Sequence, residues 1–195
     1  RPLGGGGEAQ TWLAKDRMTS AAVALKLVAP AATERLRREW QASIRLMHAH
    51  IVRVFEFHAD DEVAFYSQQF VDGPDIGALA GSAPQDVLAP LGLIADALRY
   101  LHGKGVVHRD IKAANILLDA NGAPYLADFG VSCSIGVVGE GGSLIAQSPQ
   151  SLEAAPATPA DDIFALGALM YELLAGRSPW PSAETEAAIR AATFA

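Results

Sequence analysis

Two polar runs that flank a predicted β-hairpin constrain this chain more than any other feature. The first, His-Arg-Asp-Ile-Lys-Ala-Ala-Asn, occupies residues 108–115, and the second, Asp-Phe-Gly, occupies residues 128–130. Between them, the apolar stretches 116–118 and 124–127 are separated at 119–122 by Asp-Ala-Asn-Gly, which is typical of a tight turn. Two strands joined by this turn would bring four polar side chains together in one cleft: Asp110, Lys112, Asn115 and Asp128.

These four residue types are the ones that phosphoryl transfer requires. The reaction needs a carboxylate that orients the attacking hydroxyl, oxygen ligands for Mg²⁺, and cations near the charge on the phosphate oxygens. Asp110 fits the first role, Asn115 and Asp128 offer hard oxygen donors, and Lys112 is a mobile cation. The alternative is two accidental tripeptides in loops, and the presence of both runs in one chain argues against it.

Both runs resemble the motifs of the eukaryotic-like protein kinase family, of the serine/threonine type found in bacteria. The resemblance implies an α+β, bilobal fold for residues 1–195, with a C-terminal lobe shorter than is usual in the family. The N-lobe, residues 1–72, would be an antiparallel sheet with one main helix, and the partial C-lobe, residues 73–195, would be mainly helical. It also implies ATP and Mg²⁺ as cofactors, with Asn115 and Asp128 as the metal ligands.

The segment Leu3–Thr11 resembles the family's glycine-rich loop, where glycine lets the backbone approach the phosphates closely. Ala9 stands at the third glycine position, and Thr11 stands where the family usually has valine. Taken alone, four consecutive glycines would more often be a flexible linker. The resemblance implies a larger set of residues that contact ATP: Leu3, Gly4, Gly6, Thr11, Ala24, Lys26, Gln69, Val71 and Leu117.

A lysine in the middle of the apolar, strand-like run 23–28 needs an anionic partner, because a buried ammonium without one is costly. In the family its partners are ATP phosphates and a glutamate from the next helix. Residues 33–47 have helical spacing with Thr33 as a plausible cap, and Glu39 is the best match for that glutamate. A solvent-exposed Glu39 among arginines is the alternative. The same spacing puts four apolar side chains on one face: Leu36, Trp40, Ile44 and Met47. The predicted catalytic residues are Asp110, Lys112, Lys26 and Glu39.

Three further segments resemble structural parts of the family. Residues 65–73 resemble the strand and connector between the lobes, with Gln68 as gatekeeper and the backbone of residues 69–71 bonded to adenine. Asp162 resembles the aspartate that begins a buried helix and braces the backbone of the 108–115 loop, and residues 184–192 predict a later helix. Residues 86–103 predict an amphipathic helix with four inward side chains: Leu91, Ile94, Leu98 and Leu101.

The segment 128–150 matches the family less closely. Ser143 replaces the threonine that touches the catalytic aspartate, and Gln150 replaces a glutamate that pairs with a later arginine. Arg109 resembles the arginine that pairs with a phosphate on this segment, yet the segment contains no threonine. We therefore predict that activity does not require phosphorylation here, and that a regulatory partner or flanking domains order the segment.

Charge and cysteine content indicate which classes of partner and which cellular compartment fit this chain. The net charge of −7 lies entirely in residues 73–195, which hold six basic and thirteen acidic side chains, whereas residues 1–72 hold nine of each. This balance argues against nucleic acid binding and favours basic or neutral substrates. The resemblance to the kinase family implies a protein substrate with a Ser/Thr hydroxyl. We find no signal peptide or membrane span in this segment, and the lone Cys133 fits a reducing compartment, so the sequence predicts a cytoplasmic location.

Three functions are compatible with these observations. The first is an active protein Ser/Thr kinase, favoured because Lys112 follows Asp110 by two residues. The second is a pseudokinase or ATP-binding scaffold, suggested by Ala9, Thr11 and Gln150. The third is a small-molecule phosphotransferase on a related fold, such as the aminoglycoside kinases, which usually lack this arrangement of lysine and aspartate.

Overall fold

The computed structural model describes residues 1–6, 9–139 and 141–180 and divides into two units. Unit 1 comprises Arg1–Met47 and Ile51–Val71, and unit 2 comprises His48–His50 and the chain from Asp72 onward. Unit 1 is an antiparallel sheet with one α-helix, and the described part of unit 2 is mainly helical. The predicted fold class is therefore confirmed.

The sheet of unit 1 has five strands, and every neighbouring pair is antiparallel. The strands are β1 (Pro2–Gly6), β2 (Ala9–Lys15), β3 (Ala22–Val28), β4 (Val54–Ala59) and β5 (Ala64–Gln69). Their order across the sheet is β1-β2-β3-β5-β4. Much of the glycine-rich segment is thus strand rather than loop, because Gly4 and Gly5 pair with Thr11 and Gln10.

One face of this sheet forms the core of unit 1. Because side chains alternate along a strand, Ala24, Lys26 and Val28 of β3 share a face, and Tyr66 of β5 is the Cα partner of Lys26. Five buried residues form one cluster, against which Trp40 and Phe57 pack: Val28, Leu36, Val54, Ala64 and Tyr66. Lys26 therefore lies beside an apolar core rather than in open solvent.

The helix of unit 1, α1 (Thr33–Ser43), starts differently from the prediction. A 3₁₀ turn at Pro30–Ala32 leads directly into it, so that Ala32 occupies the cap position. The prediction of Thr33 as the helix cap is therefore wrong, because this residue is already in the first helical turn.

The same helix also ends earlier than predicted, at Ser43 rather than near Met47. Ser43 Oγ donates a hydrogen bond to the Glu39 carbonyl (2.5 Å), and Leu46 N–H then bonds three residues back to Ser43 O (2.9 Å), which tightens the chain out of the α-helix. Leu46 is consequently buried, whereas Met47 is 67% exposed. The prediction that Met47 shares one helix face with Leu36, Trp40 and Ile44 is therefore wrong, because Met47 lies beyond the helix end.

Unit 2 contains three α-helices and two short two-stranded sheets among the residues described. The helices are α2 (Pro84–Gly103), α3 (Pro149–Leu152) and α4 (Pro159–Ala175). The strands are β6 (Val106–Val107), which pairs with β9 (Cys133–Ser134), and β7 (Ile116–Leu118), which pairs with β8 (Pro124–Leu126).

Helices α2 and α4 pack together and form the core of unit 2. The four side chains predicted to face inward from α2 are all buried: Leu91, Ile94, Leu98 and Leu101. Helix α4 starts with a capping box in which Asp161 accepts from the Thr158 N–H (2.7 Å), and it ends at Gly176, which is left-handed at φ 64°. Its Phe164 stacks on Trp180, with ring centroids 6.0 Å apart.

The predicted β-hairpin is present as β7 and β8. Its turn closes through a bond from Gly122 N–H to Asp119 O (2.9 Å), and Gly122 adopts φ 80°, which disfavours a residue with a Cβ. The Asp119 side chain accepts from the N–H groups of Asn121 and Ala123 and so fixes the turn.

Two sequence predictions concern features beyond this architecture. The helix predicted at residues 184–192 lies outside the described residues. Within residues 1–6, 9–139 and 141–180, none of the helices combines the length and the hydropathy that crossing a bilayer requires.

Candidate phosphoryl-transfer site

The 108–115 loop is tied to the start of α4 by one buried carboxylate. Asp162 accepts hydrogen bonds from the backbone N–H groups of His108 (2.9 Å) and Arg109 (2.8 Å), and its Oδ2 lies 2.8 Å from His102 Nε2. These bonds support Arg109 in a left-handed conformation, φ 69°, that residues with a Cβ seldom adopt. The bracing contact predicted for Asp162 is therefore confirmed.

Asp110 provides the carboxylate of this loop and is almost fully buried. Its Oδ2 lies 2.8 Å from Lys112 Nζ and accepts from Asn115 Nδ2 (2.8 Å), while its Oδ1 accepts from the Ser143 N–H (2.8 Å). Burial alone would raise the pKa of Asp110, but the Lys112 ammonium and the Ser143 N–H outweigh burial and lower this pKa. Asp110 is therefore ionised at neutral pH and can accept a hydrogen bond from a hydroxyl.

Lys112 connects the loop with the 128–150 segment. Besides its contact with Asp110, its Nζ donates to Ser143 Oγ at 2.6 Å. Ser143 thus contacts both predicted catalytic residues of the loop, through its N–H to Asp110 and through its hydroxyl to Lys112. The serine that replaces the family's threonine keeps the hydroxyl that this contact needs.

His108 is a structural part of the site. Its ring is fully buried, packs edge-on against Phe129 (4.8 Å between centroids), and lies 3.2 Å from Ala127 O through Nε2. Its Nδ1 accepts the Asp110 N–H at 3.3 Å, so Nε2 carries the proton. Burial lowers the pKa of His108, against the opposing charges of Asp162, Asp128 and Asp110, and keeps the ring neutral.

The predicted metal ligands lie at the open end of the β7-β8 hairpin, with Asn115 just before β7 and Asp128 two residues after β8. The Ala127 N–H bonds to Asn115 O (2.9 Å), which places Asp128 directly after a residue paired with Asn115. Asn115 donates through Nδ2 to Asp110 O and Oδ2, so its Oδ1 is the atom that a cation could use. Asp128 is exposed and holds φ 64°, and its Oδ1 accepts the Gly130 N–H at 3.3 Å.

Lys26 and Glu39 form the ion pair expected from the sequence in unit 1. Lys26 Nζ lies 2.6 Å from Glu39 Oε1, and the side chains are 15% and 5% exposed. Helix α1 presents Glu39 toward the sheet, so the solvent-exposed alternative for this residue is wrong. The pair places a carboxylate beside the charge of a lysine that lies next to an apolar core.

The predicted ATP-contacting residues are distributed over both units. Gly4, Thr11 and Lys26 lie in one row across the sheet of unit 1, because they are successive Cα partners. The others in unit 1 occupy the strands or follow β5: Leu3, Gly6, Ala24, Gln69 and Val71. Leu117 belongs to β7 of unit 2. The Gln69 N–H is already bonded to Arg53 O (2.7 Å), so an adenine contact at Gln69 would use its carbonyl oxygen.

Two residues at these sites make contacts that the sequence did not predict. Arg109 is buried and its guanidinium donates to backbone carbonyls of the 128–150 segment, at Val131 (3.5 Å) and Gly139 (3.1 Å). Main-chain acceptors leave no signal in a sequence. Tyr66 donates to Glu39 Oε1 at 2.5 Å. The alternation of β5 could have revealed this contact, because it puts Tyr66 on the face of Lys26.

His48, His50 and Cys133 have ordinary structural surroundings. His48 Nε2 lies 3.2 Å from Asp96 Oδ2, and His50 Nδ1 lies 2.9 Å from Pro124 O, both within unit 2. Among the described residues, His, Cys, Asp and Glu side chains form no cluster of three or more suited to a metal. Burial raises the pKa of the Cys133 thiol, which disfavours the reactive thiolate.

Comparison with known proteins agrees with this geometry. A family model for the protein kinase domain matches residues 1–194. The serine/threonine-protein kinase PrkC of Bacillus subtilis is 32% identical over 196 residues, which cover 92% of this chain and 30% of that protein. The serine/threonine-protein kinase PkaA of Streptomyces coelicolor is 34% identical over 209 residues, covering 92% of this chain and 38% of that protein.

The similarity extends to a eukaryotic protein. The Aurora kinase of Dictyostelium discoideum is 34% identical over 195 residues, which cover 93% of this chain and 51% of that protein. The chain therefore spans from about a third to about half of the length of these curated relatives.

Proposed function

The chain belongs to the protein kinase domain family, and on this premise we propose that it is an ATP-dependent protein serine/threonine kinase. It transfers the γ-phosphoryl group of ATP to a serine or threonine hydroxyl of a protein substrate. The observation that carries the proposal is the setting of Asp110, a buried carboxylate with a lowered pKa, held by Lys112, Asn115 and Ser143.

Asp110 acts on the attacking hydroxyl. Its ionised carboxylate accepts the hydroxyl's hydrogen bond, orients the oxygen toward the γ-phosphorus, and takes the proton as the new O–P bond forms and the bond to the ADP oxygen breaks. Lys112 contributes a cation for the charge on the transferred group. The contacts with Asn115 and Ser143 hold the carboxylate in one orientation, which lowers the entropic cost of alignment.

Asn115 and Asp128 fit the needs of Mg²⁺. Magnesium prefers hard oxygen ligands and is usually bound by one or two side chains together with substrate phosphates and water, so a full protein cage is not required. The Asn115 amide oxygen and the exposed Asp128 carboxylate are two such donors, joined through the Ala127–Asn115 backbone bond. Bound magnesium would neutralise charge on the phosphate oxygens.

The residues of unit 1 take the remaining roles in this proposal. Lys26 binds the α,β-phosphates of ATP, and Glu39 keeps the ammonium in place through their 2.6 Å contact. The wider ATP-contacting set is retained as proposed: Leu3, Gly4, Gly6, Thr11, Ala24, Gln69, Val71 and Leu117. In this proposal residues 1–195 form one kinase domain, with a regulatory partner or flanking domains acting on it.

The second candidate is an ATP-binding scaffold without transfer activity. It is favoured by Ala9 and Thr11 in the glycine-rich segment and by Gln150, which is exposed in α3. Five of the residues to which the proposal gives a role are nevertheless present with suitable contacts or exposure: Lys26, Glu39, Asp110, Asn115 and Asp128. We therefore rank the scaffold second.

A labelling experiment separates these functions. The protein is incubated with γ-labelled ATP, Mg²⁺ and a mixed protein acceptor, with Asp110→Asn as control, and the labelled phosphoamino acids are separated. A kinase gives phosphoserine or phosphothreonine that is absent with the variant. ATP binding with no label above the Asp110→Asn level would support the scaffold. A parallel reaction replaces the protein acceptor with an aminoglycoside, and label found only in that reaction would support a small-molecule phosphotransferase.

A further inference from the structure

We propose that Tyr66 is a positioning residue for nucleotide binding, because its hydroxyl holds the Glu39 carboxylate where Glu39 pairs with Lys26. The inference deepens the proposed function, since it assigns a role in ATP binding to a side chain that contacts neither the phosphates nor the metal ligands in that proposal.

The geometry joins three side chains at one oxygen atom. Tyr66 Oη donates to Glu39 Oε1 at 2.5 Å, and the same oxygen lies 2.6 Å from Lys26 Nζ. Tyr66 and Glu39 are 2% and 7% exposed, so water competes little for these bonds. Hydrogen bonds to an ionised acceptor are shorter and stronger than neutral ones, and a buried setting strengthens them further.

The fold explains why the phenol reaches this carboxylate. Lys26 and Tyr66 are Cα partners on neighbouring antiparallel strands, so both side chains leave the sheet on the face that α1 covers. Glu39 enters from α1, where Ser43 Oγ donates to its carbonyl at 2.5 Å. Glu39 is therefore held at its backbone by the helix end and at its carboxylate by strand β5.

The consequence is that Glu39 does not depend on Lys26 alone for its position. Without the phenol, the carboxylate would lose one of the two side-chain bonds that the described residues make to it, and Lys26 could draw it toward solvent. With the phenol, the carboxylate stays at the sheet, and Lys26 is presented in one place to an anionic ligand. An arrangement fixed before binding loses less conformational entropy when the ligand arrives.

A purely structural tyrosine is the competing explanation, because a buried Tyr hydroxyl needs a partner wherever it lies. Tyr66 is indeed a member of the apolar cluster of unit 1. The two roles differ in what they predict. A structural tyrosine affects stability independently of Glu39, whereas a positioning tyrosine affects ATP affinity only while the Glu39 carboxylate is present.

A double-mutant cycle on MgATP affinity tests the proposal. Tyr66→Phe removes only the hydroxyl and keeps the ring. We expect it to raise the Kd of the full-length protein for MgATP by about tenfold, or about 1.4 kcal/mol. In a Glu39→Ala background the same change should alter Kd by less than about twofold.

Ser67→Ala is the matched control. It removes a hydroxyl from the next residue of β5, which accepts the Glu56 N–H on the opposite face, and should leave Kd unchanged.

Thermal melting tests whether each variant is folded. If Glu39→Ala does not fold, the cycle is repeated with Glu39→Gln. Equal effects of Tyr66→Phe on Kd with and without Glu39 would overturn the positioning role, as would a lower melting temperature with unchanged Kd. Because the readout is binding, a wild-type protein that binds MgATP but transfers no phosphate would refute the kinase function alone. A wild-type protein that binds no MgATP would refute both.

Discussion

The 108–115 loop and the 128–150 segment are neighbours in unit 2, yet different chemical groups hold them. In the loop, side chains make the bonds described above: Asn115 donates to Asp110, and Asp162 of α4 accepts from two loop N–H groups. In the segment, many of the bonds join two main-chain atoms, as between Gly136 N–H and Ala157 O (2.9 Å). A site held by side chains can be read from a sequence, whereas one held by its backbone cannot.

The two regions also differ in burial. In the loop, His108, Arg109 and Asp110 are all less than 10% exposed. The segment leaves large apolar side chains exposed by a third or more: Ile135, Val137, Val138, Leu144 and Ile145. We therefore expect substitutions that loosen the loop to cost stability and activity together, and substitutions in the segment to change activity with little cost in stability.

The largest effect is expected at Asp162, which supports the loop. Asp162→Ala leaves two buried N–H groups and His102 without their acceptor, and it should lower the free energy of unfolding by about 3–5 kcal/mol. Chemical denaturation measures this change. Asp61→Ala, which removes an exposed carboxylate in unit 1, should change it by less than about 0.5 kcal/mol. If Asp162→Ala and Asp61→Ala lowered the free energy of unfolding equally, Asp162 would not be a special support of the 108–115 loop.

The next effect concerns acid stability through His108. Burial lowers the pKa of His108 from 6.5 in the folded protein, so below about pH 6.5 the unfolded chain binds a proton that the folded chain does not. Stability should therefore fall on acidification, by up to about 1.4 kcal/mol per pH unit from this group. The free energy of unfolding, measured from pH 7.5 to 5, should fall less steeply in His108→Phe. Parallel curves would contradict the neutral, buried ring.

Gly139 tests how the 128–150 segment is held. A Cβ at this position would lie 1.9 Å from Arg109 Nη1, so Gly139→Ala should push the guanidinium off the Gly139 carbonyl. We expect a three- to tenfold fall in kcat/KM, which corresponds to about 0.7–1.4 kcal/mol, because Arg109 adjoins Asp110. The melting temperature should hardly change, because the long Arg109 side chain can move.

Gly103→Ala, where a Cβ meets nothing within 4 Å, is the control. A large loss of stability in Gly139→Ala alone would show that the segment is held as tightly as the loop.

The smallest effect is expected from the hydroxyls near the start of the segment. Ser132 Oγ donates to Phe129 O at 2.9 Å, and Ser134 is exposed in β9. Because Arg109 already donates to main-chain carbonyls, the double variant Ser132→Ala, Ser134→Ala should keep activity within about twofold. Mass spectrometry of the active protein checks for phosphate at either serine. A large loss of activity at unchanged ATP affinity would refute independence from phosphorylation.

The sequence predicted the features that depend on local pattern. The β7-β8 hairpin followed from its apolar runs and its Asp-Ala-Asn-Gly turn, and the inward face of α2 followed from its periodicity. The need for an anion beside Lys26 followed from the cost of burying an unpaired ammonium, and the choice of Glu39 followed from the resemblance to the kinase family. Each of these depends on side-chain types that the sequence states directly.

The features it missed depend on contacts made by the backbone or by the end of an element. The helical spacing of α1 continues past Ser43, whereas the chain leaves the α-helix there and Leu46 N–H bonds three residues back to Ser43 O. The partners of Arg109 are carbonyl oxygens of Val131 and Gly139, which every residue type carries. No pattern of side chains could have indicated them.

The central claim is that Asp110 acts on the hydroxyl rather than on the nucleotide. The most direct test measures the Kd for MgATP and the phosphoryl-transfer rate of wild type and Asp110→Asn under the same conditions. The account predicts a Kd within about threefold of wild type and a transfer rate lower by about 10²- to 10⁴-fold. Wild-type transfer by Asp110→Asn, or loss of MgATP binding in parallel with loss of transfer, would contradict it.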